Sequence, residues 1–423
     1  MKNKVWGGVA AGAAALVVVG GVFVAQTTRN NASAKDAITG TITVLTNRTD
    51  MQANGMLKKY AQEFEKKYPG THVQWQTFVD TSTVQAQMNG GVYPDVMLVL
   101  PNITRDQLPT YFAPLDDLGL DNKIYLKDWD SYQGKVYGIP SFANVNGIVY
   151  NKAAFRKAGI TQPPKTLNEF YQDCAKLKKA GIIPIEMNYT DKWPLSNWSN
   201  SLPDLIAKDA NYMNTLVKSN APFSTNTPEG QALAIARKII ENGWAEKDWK
   251  NTNWANSKVL LAKGKAAMMF LGNWAVPQII ADGAPSKDVG FFPFPASNDG
   301  KNVAIMGPDW CYAVNKHSKH IATAKAFVKW MLLDSGFANY AGGIPIIKGQ
   351  KSNVPQLAEF QKLTWKTLTA VPDSDKLTKL ENAAQIDITG GGATQTVLNA
   401  PSLQAAFKQL NQAWANAKSM LGY

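Results

Sequence analysis

The sequence predicts a layered α/β fold in which strands and helices alternate. Short runs of β-branched residues alternate with amphipathic segments over the first hundred residues. One of these runs, DVMLVL at 95–100, is almost wholly apolar, as expected of a strand that a parallel sheet buries on both faces. The chain of 423 residues is also long enough for two or three domains. Strand–helix alternation of this kind favours parallel sheets with right-handed crossovers.

The opening elements follow from local pattern. Residues 41–46 (TITVLT) predict a short buried strand, because β-branched residues dominate it and Gly40 precedes it. Apolar residues at helical spacing over 56–64 predict an amphipathic helix that ends at Tyr68-Pro69-Gly70. Alternation over 72–78 predicts a second strand, and a helix is expected over 84–88.

The middle of the chain continues the alternation. The predicted elements are a hairpin at 133–140, a strand at 147–150, helices at 152–158 and 166–179, and a strand at 182–187. Thr166 is followed three residues later by Glu169, which is the pattern of a capping box at a helix start.

The last third mixes strong helices with late strands. Helices are predicted at 228–242, 321–333 and 402–421, and a buried strand at 266–271. The apolar stretch 303–315 follows much helix, which permits a chain that leaves one lobe and later returns to it.

The N-terminus carries an export signal or an anchor. Lys2 and Lys4 precede an apolar core at 5–25, whose 21 residues match the roughly 20 that cross a bilayer. Ala32-Ser33-Ala34 has the small-x-small form that a signal peptidase accepts. The segment is therefore either a removed signal peptide or a retained anchor, and in both cases the body is exported.

The charge of the chain is positive but dispersed. The formal net charge is +12, and residues 1–34 contribute three of these charges and no acids, which leaves +9 for the remainder. We interpret the dispersed lysines as a soluble surface rather than a patch for an anionic polymer. Because the chain is exported and has no basic cluster, we expect no nucleic-acid partner.

Motifs for catalysis are absent from the sequence. It contains no HExxH, no Walker phosphate loop, no GxSxG and no CxxC. His317 and His320 lie three apart without an evident third ligand, so we expect no metal and no cofactor. Cys174 and Cys311 could form a bridge in an exported protein, although their spacing gives it no support.

Tryptophan is the conspicuous residue type. Seven tryptophans lie between residues 193 and 310, several of them in polar surroundings such as DKWPLSNWSN and NTNWANS. Aromatic rings offer an apolar platform to the C–H face of a sugar, while Asn, Asp and Lys hydrogen-bond its hydroxyl groups. Trp274 is favoured because it follows a buried strand, and ligands gather at the carboxyl ends of parallel strands.

Eight segments in order give the chain a family resemblance. They are TITVLTNRTD at 41–50, LKKYAQEFEKKYPGTHVQW at 57–75, YPDVMLV at 93–99, GKVYGIPSFANVNGIVYNKAAFRKAGITQPPKTLNEF at 134–170, TPEGQALAIARKIIENG at 227–243, GKAAMMFLGNW at 264–274, SKHIATAKAFVKWML at 318–332 and GGIPIIKG at 342–349. With these segments the chain resembles the extracellular solute-binding proteins of ABC importers, in particular the carbohydrate-binding, maltose-binding-protein-like family.

The resemblance implies two α/β lobes, a hinge and a ligand cleft between the lobes. Lobe one would comprise 38–142 plus 303–345, and lobe two 143–302 plus 346–423, after the signal or anchor at 1–34. It also implies a carbohydrate ligand, membrane permease subunits as partners, no catalysis and a monomeric, extracytoplasmic protein. The family's usual lipid-anchoring cysteine is missing near the N-terminus, so any attachment would use the N-terminal helix.

Site residues follow from the resemblance where the motifs match. Asn144 stands where maltose-binding members have a carboxylate, which removes a charged acceptor. Trp274 in GNW matches the family's stacking tryptophan. The implied ligand-binding residues are Asn47, Arg48, Asp50, Asp95, Asn144, Tyr189, Trp193, Trp274, Asp309 and Trp310.

Two further functions stay open at this point. An enzyme that acts on polysaccharide would need two carboxylates in the cleft. A binding protein for a non-sugar solute, such as an anion, could use Arg48 to clamp a carboxylate or phosphate.

Overall fold

A computed structural model describes residues 37–423. The predicted signal or anchor at 1–34 lies outside these residues. Within 37–423, no helix combines the length and the apolar character needed to cross a membrane.

The first sheet consists of five strands from the N-terminal part of the chain and one later strand. Its order in space is Thr71–Thr77, Gly40–Thr46, Val96–Leu98, Cys311–Val314, Lys135–Pro140 and Asp130–Tyr132. The predicted strands near 41–46, 72–78 and 95–100 are confirmed, and they pair in parallel. Cys311–Val314 joins them in antiparallel orientation, so the late apolar stretch does return to the first sheet.

The second sheet is centred on the long strand Ala143–Asn151. Its order is Lys366–Thr369, Val303–Pro308, Ala143–Asn151, Ala266–Gly272 and Ile183–Glu186, with Val289–Phe292 also paired to the central strand. All seven residues of the predicted strand at 266–271, extended by Gly272, are buried. This agrees with the apolar run AAMMFLG, since a central strand covered on both faces has no polar side.

Strands run from one sheet into the other at two neighbouring places. Lys135–Pro140 of the first sheet continues into Ala143–Asn151 of the second, and Val303–Pro308 of the second continues into Cys311–Val314 of the first. The family resemblance predicts lobe one from residue 303 onwards, whereas Val303–Pro308 pairs with the second sheet. The chain therefore returns to the first sheet at Asp309 and Trp310. The sequence could not locate this point, because a short apolar strand does not reveal which sheet it joins.

Helices cover both sheets. Those of eight or more residues are Met56–Lys67, Thr81–Asn89, Leu167–Lys179, Pro228–Glu241, Trp254–Ala262, Ile321–Leu333, Pro355–Leu363, Asp375–Ala384, Gly392–Asn399 and Leu403–Leu421. The predicted capping box is confirmed: Thr166 Oγ1 accepts the Glu169 N–H, and a Glu169 oxygen accepts the Thr166 N–H, both at 3.2 Å.

Each sheet has its own hydrophobic core. Phe64, Phe327 and Val44 lie in the first, and Phe170 and Phe294 in the second. A further all-helical cluster surrounds Trp414. Cys174 and Cys311 are buried and free, so the bridge that the sequence left open is not formed.

Candidate functional site

A cleft of about 1330 Å³ lies where the two sheets meet. The loop after the strand Gly40–Thr46 lines one wall, and Trp274, two residues after the strand Ala266–Gly272, lines the other. Ser141, Phe142, Asp309 and Trp310 line it from the segments that pass between the sheets. The cleft is therefore built at strand ends, where ligand sites of α/β proteins form.

Three half-buried tryptophans form a cluster in this cleft, here called the tryptophan triad: Trp193, Trp254 and Trp274. The ring centroids lie 5.5 Å apart for Trp193 and Trp274, 5.6 Å for Trp254 and Trp274, and 5.9 Å for Trp193 and Trp254. The tilted and edge-on arrangements match the preferred geometry of aromatic pairs, so each ring supports the other two.

The turn after the strand Ala266–Gly272 presents Trp274 to the cleft. Asn273 is fully buried, and its side chain accepts the Val145 N–H at 2.8 Å and donates to the Gly342 carbonyl at 2.6 Å. These bonds fix the backbone on both sides of the turn. A Cβ atom at Gly272 would lie 2.4 Å from Trp274 Nε1, so the indole lies against a position that admits no side chain.

Aromatic residues of the first sheet's side also line the cleft. Trp310 packs edge-on against Phe78, with centroids 5.8 Å apart. The Arg48 guanidinium lies 5.8 Å from the centroid of the Phe337 ring. The cleft thus offers apolar ring faces from both of its walls.

Arg48 and Asp50 form a tight two-bonded ion pair. Arg48 Nε and Nη2 donate to the two Asp50 carboxylate oxygens at 2.8 and 2.6 Å. Burial opposes ionisation of the carboxyl, but the bonds from Arg48 outweigh burial and hold the pKa of Asp50 below its usual value. This bidentate arrangement engages the Nε–Nη2 edge of the guanidinium.

Asp309 lies at the second passage between the sheets. Its carboxylate accepts a hydrogen bond from Asn144 Nδ2 at 3.2 Å, and Ser141 Oγ lies 3.5 Å away. Desolvation raises the pKa of Asp309 to about 6, although Arg48 nearby works in the opposite direction. Asp309 therefore links the two passages and contributes to the cleft wall.

Seven of the residues implied by the resemblance line this cleft together. They are Asn47, Arg48, Asp50, Trp193, Trp274, Asp309 and Trp310. Asn144 does not line the cleft itself, but its side chain donates a hydrogen bond to Asp309, which does.

Asp95 and Tyr189 have other surroundings. The Asp95 carboxylate accepts bonds from the Thr43 N–H at 2.7 Å and from Ser318 Oγ at 2.6 Å, so it fastens neighbouring segments of the first sheet. The Tyr189 ring packs edge-on against Trp249, at 5.0 Å, and its hydroxyl accepts a bond from Asn399.

Several cleft residues were missed by the sequence reasoning. Trp254 had a usable signal, since NTNWANS is one of the polar tryptophan contexts, and Asn253 caps the helix that starts at Trp254. The part of the wall formed by residues near 378–390 had no signal in the sequence, because the resemblance ends near residue 349. Further lining residues are Asp80, Gln85, Lys258, Gln278, Glu381, Asn382 and Asp387.

Each of the three cationic side chains that line the cleft has a carboxylate partner. Arg48 pairs with Asp50, and Lys192 pairs with Asp387. Lys258 Nζ lies 3.6 Å from Asp282 and 5.1 Å from the Trp254 ring centroid. The described part of the chain therefore presents no unpaired cation in this lining.

The described residues contain no group of three or more His, Cys, Asp or Glu side chains placed to hold a metal ion. The arrangement of rings, amides and paired charges can bind a ligand by stacking and hydrogen bonding.

Comparison with known proteins identifies the family. The family model described as "Bacterial extracellular solute-binding protein" matches residues 49–336. The "Multiple sugar-binding protein" of Streptococcus mutans is 27% identical over 345 residues, which cover 78% of this chain and 81% of that protein.

Solved structures agree with the family model. The binding protein BlMnBP1 of an ABC transporter from Bifidobacterium animalis subsp. lactis, in complex with mannobiose, superposes with a TM-score of 0.81 and 30% identity, covering 91% of this chain and 96% of that one. BlMnBP2 from the same organism, described as manno-oligosaccharide specific, superposes with a TM-score of 0.81 and 26% identity, covering 92% of this chain and 96% of that one. The predicted two-lobe fold and the predicted resemblance are confirmed: the chain belongs to the bacterial extracellular solute-binding proteins.

Proposed function

We propose that this protein captures a neutral oligosaccharide in the cleft between its two sheets and delivers it to the permease of an ABC importer. The observation that carries the proposal is the tryptophan triad in a cleft that also offers amides and hydroxyls, and in which every cation has a carboxylate partner. Indole faces take the C–H faces of sugar rings, and the polar groups take the hydroxyls.

The size of the cleft favours more than one sugar ring. Its volume of about 1330 Å³ exceeds the roughly 300–1000 Å³ typical of pockets for small molecules. Besides the triad, the amides of Gln85 and Asn382 line the same cleft. The related structures, which were solved with mannobiose and mannotriose, support an oligosaccharide as ligand.

The paired charges argue against an anionic ligand. An arginine that clamps a carboxylate or phosphate directs two parallel N–H groups at the ligand. Arg48 instead directs Nε and Nη2 at Asp50, and Lys192 and Lys258 also have acidic neighbours. A free anion would therefore meet a carboxylate beside every cation of this lining.

The protein is proposed to bind without turnover. A glycosidase needs an acid and a carboxylate on opposite sides of the scissile bond. Of the two cleft acids that the sequence singled out, Asp50 is held by Arg48 and Asp309 by Asn144. Both carboxylates thus serve the architecture of the cleft.

The two passages between the sheets are proposed as the hinge of two lobes. The predicted division placed 38–142 plus 303–345 in lobe one and 143–302 plus 346–423 in lobe two. Because Val303–Pro308 pairs with the second sheet, the proposed boundary moves from residue 303 to the second passage at Asp309 and Trp310. Closure about such segments is the usual way in which two-lobe proteins enclose a ligand. The protein would act as a monomer outside the cytoplasm, either secreted or tethered by its N-terminal segment.

Thermal unfolding of the purified protein tests the proposal. We would measure it with mono- and oligosaccharides, including mannobiose and mannotriose, and with amino acids, polyamines and phosphate as controls. A ligand that binds the folded state stabilises it by about 2.7 kcal/mol at a hundredfold excess over its Kd. We expect a shift with an oligosaccharide that Trp274→Ala abolishes.

Trp365→Ala is the matched control, since Trp365 is 56% exposed and lies outside the cleft. It should leave the ligand-induced shift intact. A shift with phosphate or an amino acid but with no sugar would refute the carbohydrate assignment.

A further inference from the structure

Two segments carry two of the three rings of the tryptophan triad, and buried carboxylates tie these segments together. The loop after the strand Ile183–Glu186 leads to Trp193, and the loop that begins near Glu246 leads to Trp254. Glu186 and Glu246 are 3% and 4% exposed, so both carboxyl groups are in the interior. A buried carboxyl persists where hydrogen bonds compensate for its lost hydration.

Glu246 receives bonds from both segments. Its two oxygens each lie 3.1 Å from the Met187 N–H, and the backbone N–H of Asn188 also donates to it. From its own segment, Thr252 Oγ1 donates at 2.5 Å. The carboxylate thus fixes the loop that leads to Trp193 against the loop that leads to Trp254.

Asp191 makes the corresponding link at the other end. Its carboxylate accepts the backbone N–H of Trp254 at 2.5 Å. Between the two acids, the Thr190 N–H donates to the Thr252 carbonyl at 2.9 Å. The two segments are therefore joined at three successive levels that end at the triad.

The loop that leads to Trp193 is strained and requires such support. Asn188 and Lys192 have φ values of 55° and 64°, in the left-handed region that residues with a Cβ rarely adopt. Strained backbone of this kind persists where the surroundings over-determine it. Glu246 bonds directly to Asn188, and Asp191 precedes Lys192.

Glu186 completes the interior of this network. Ser257 Oγ, in the helix that begins at Trp254, donates to a Glu186 oxygen at 2.7 Å. Desolvation, and then repulsion from Glu246, raise the pKa of Glu186. The pair therefore retains a proton more readily than two isolated carboxyls would.

We infer that Glu246 and Asp191 are positioning residues that hold Trp193 and Trp254 against Trp274, and so build the aromatic surface of the cleft. Glu246 does not line the cleft and acts through the indoles alone. Asp191 does line it, and its positioning role rests on its bond to the Trp254 N–H. The consequence for sugar affinity rests on the proposed function, whereas the consequence for the triad does not.

A double-mutant cycle on the full protein tests the inference without any ligand. Near-UV circular dichroism is recorded for the wild type, for Glu246→Ala, Glu246→Gln and Asp191→Ala, and for each of these combined with Trp254→Phe. For each protein, the spectrum with Trp254→Phe is subtracted from the spectrum without it. This difference spectrum reports the coupling of the Trp254 ring to the other two rings of the triad. Glu229→Ala is the control, because Glu229 is a fully buried carboxyl of the same half of the molecule that lies outside this network.

We expect Glu246→Ala and Asp191→Ala to lose the difference spectrum and Glu246→Gln, which keeps an acceptor oxygen, to retain it. Glu229→Ala should leave the difference spectrum intact, because no bond of Glu229 reaches either of the two loops. The inference is overturned if Glu246→Ala and Asp191→Ala keep the difference spectrum below their Tm. If Glu246→Ala does not fold, Asp191→Ala decides between the two results.

Titration with mannobiose provides the second readout. We expect Kd to rise at least about tenfold in Asp191→Ala and Glu246→Ala, and to stay within about threefold in Glu246→Gln. A wild type that binds none of the sugars in the panel would end the proposed function, and the ring-coupling spectra would still decide the positioning role. Because Asp191 also lines the cleft, the Glu246 variants decide: an unchanged Kd in Glu246→Ala would overturn the positioning role for binding.

Discussion

Asp309 connects the hinge segments to the cleft through a carboxyl that is costly to ionise. Desolvation raises its pKa to about 6, above the value near 3.8 of an unfolded aspartate. The folded state therefore binds the proton more tightly than the unfolded state between these two values. The stability that this group contributes is present below pH 3.8 and is lost as the pH rises through about 6.

Asp309→Asn should remove this dependence. The free energy of unfolding of the variant minus that of the wild type should rise by about 1–2 kcal/mol between pH 4 and pH 7. One pKa unit corresponds to about 1.4 kcal/mol, and partial solvent access reduces the effect. Urea unfolding at half-unit pH steps measures the difference. The exposed Asp248, changed to Asn, supplies the baseline. A difference that is flat with pH, as in that control, would contradict the prediction.

Single residues of the site were predictable where a local pattern also fixes their place. Trp274 follows a buried strand, and the carboxyl end of such a strand is where ligands gather. Asp95 illustrates the opposite case: an acid after YP in YPDV looks the same in sequence whether it faces a ligand or accepts bonds from Thr43 and Ser318. The polar context NTNWANS marks Trp254 as a candidate, but its place in the triad depends on two loops that are distant in sequence, and no local pattern shows that they converge.

At the scale of elements, the strand Ala266–Gly272 and its turn decide where the Trp274 indole lies. Gly272→Ala would place a Cβ 2.4 Å from Trp274 Nε1 and 3.2 Å from Asn146 Oδ1. The indole must move, because the strand itself is buried on both faces. We expect sugar affinity to fall about tenfold or more, with a smaller effect on Tm than a core cavity would have.

Isothermal titration with the sugar found in the panel measures this change. Gly90→Ala is the control, since Gly90 has a negative φ and its added Cβ would meet nothing nearer than 3.5 Å. Equal affinities in the two variants would show that the indole tolerates the displacement.

Elements were predictable where their signals are local. The capping box of Thr166 and Glu169 depends on only four consecutive residues, and both of its hydrogen bonds are present in the structure. The strand Val303–Pro308 was expected with the first lobe and pairs with the second sheet. The choice of partner depends on which edge is free in the folded sheet, and the sequence of a short strand carries no information about that.

At the scale of the whole molecule, the walls of the cleft also touch at a rim formed by two segments. Arg105 donates its N–H to Asp375 at 2.9 Å and its Nη2 to the Asp373 carbonyl at 2.8 Å. Lys379 Nζ donates to the Asp106 carboxylate, also at 2.9 Å. The segment near residue 105 follows a strand of the first sheet, whereas the helix Asp375–Ala384 packs in the all-helical cluster.

These rim contacts should bias the molecule towards a closed cleft. Neither Asp106 nor Lys379 lines the cleft, so their exchange tests closure apart from ligand contact. Asp106→Lys brings two like charges together at the rim and should shift the population towards an open form, which raises the apparent Kd because less of the protein is competent to bind. Lys379→Asp should act in the same direction.

The charge swap that combines Asp106→Lys with Lys379→Asp restores an opposite-charge pair and should restore both compactness and affinity. Small-angle scattering without ligand measures the radius of gyration, and titration measures Kd. Because both side chains are partly exposed, the single-variant effects should shrink in about 1 M salt, where screening acts within roughly 3 Å. If the single variants and the swap scatter and bind alike, the rim pair is a passive surface contact and closure depends on the hinge and the ligand.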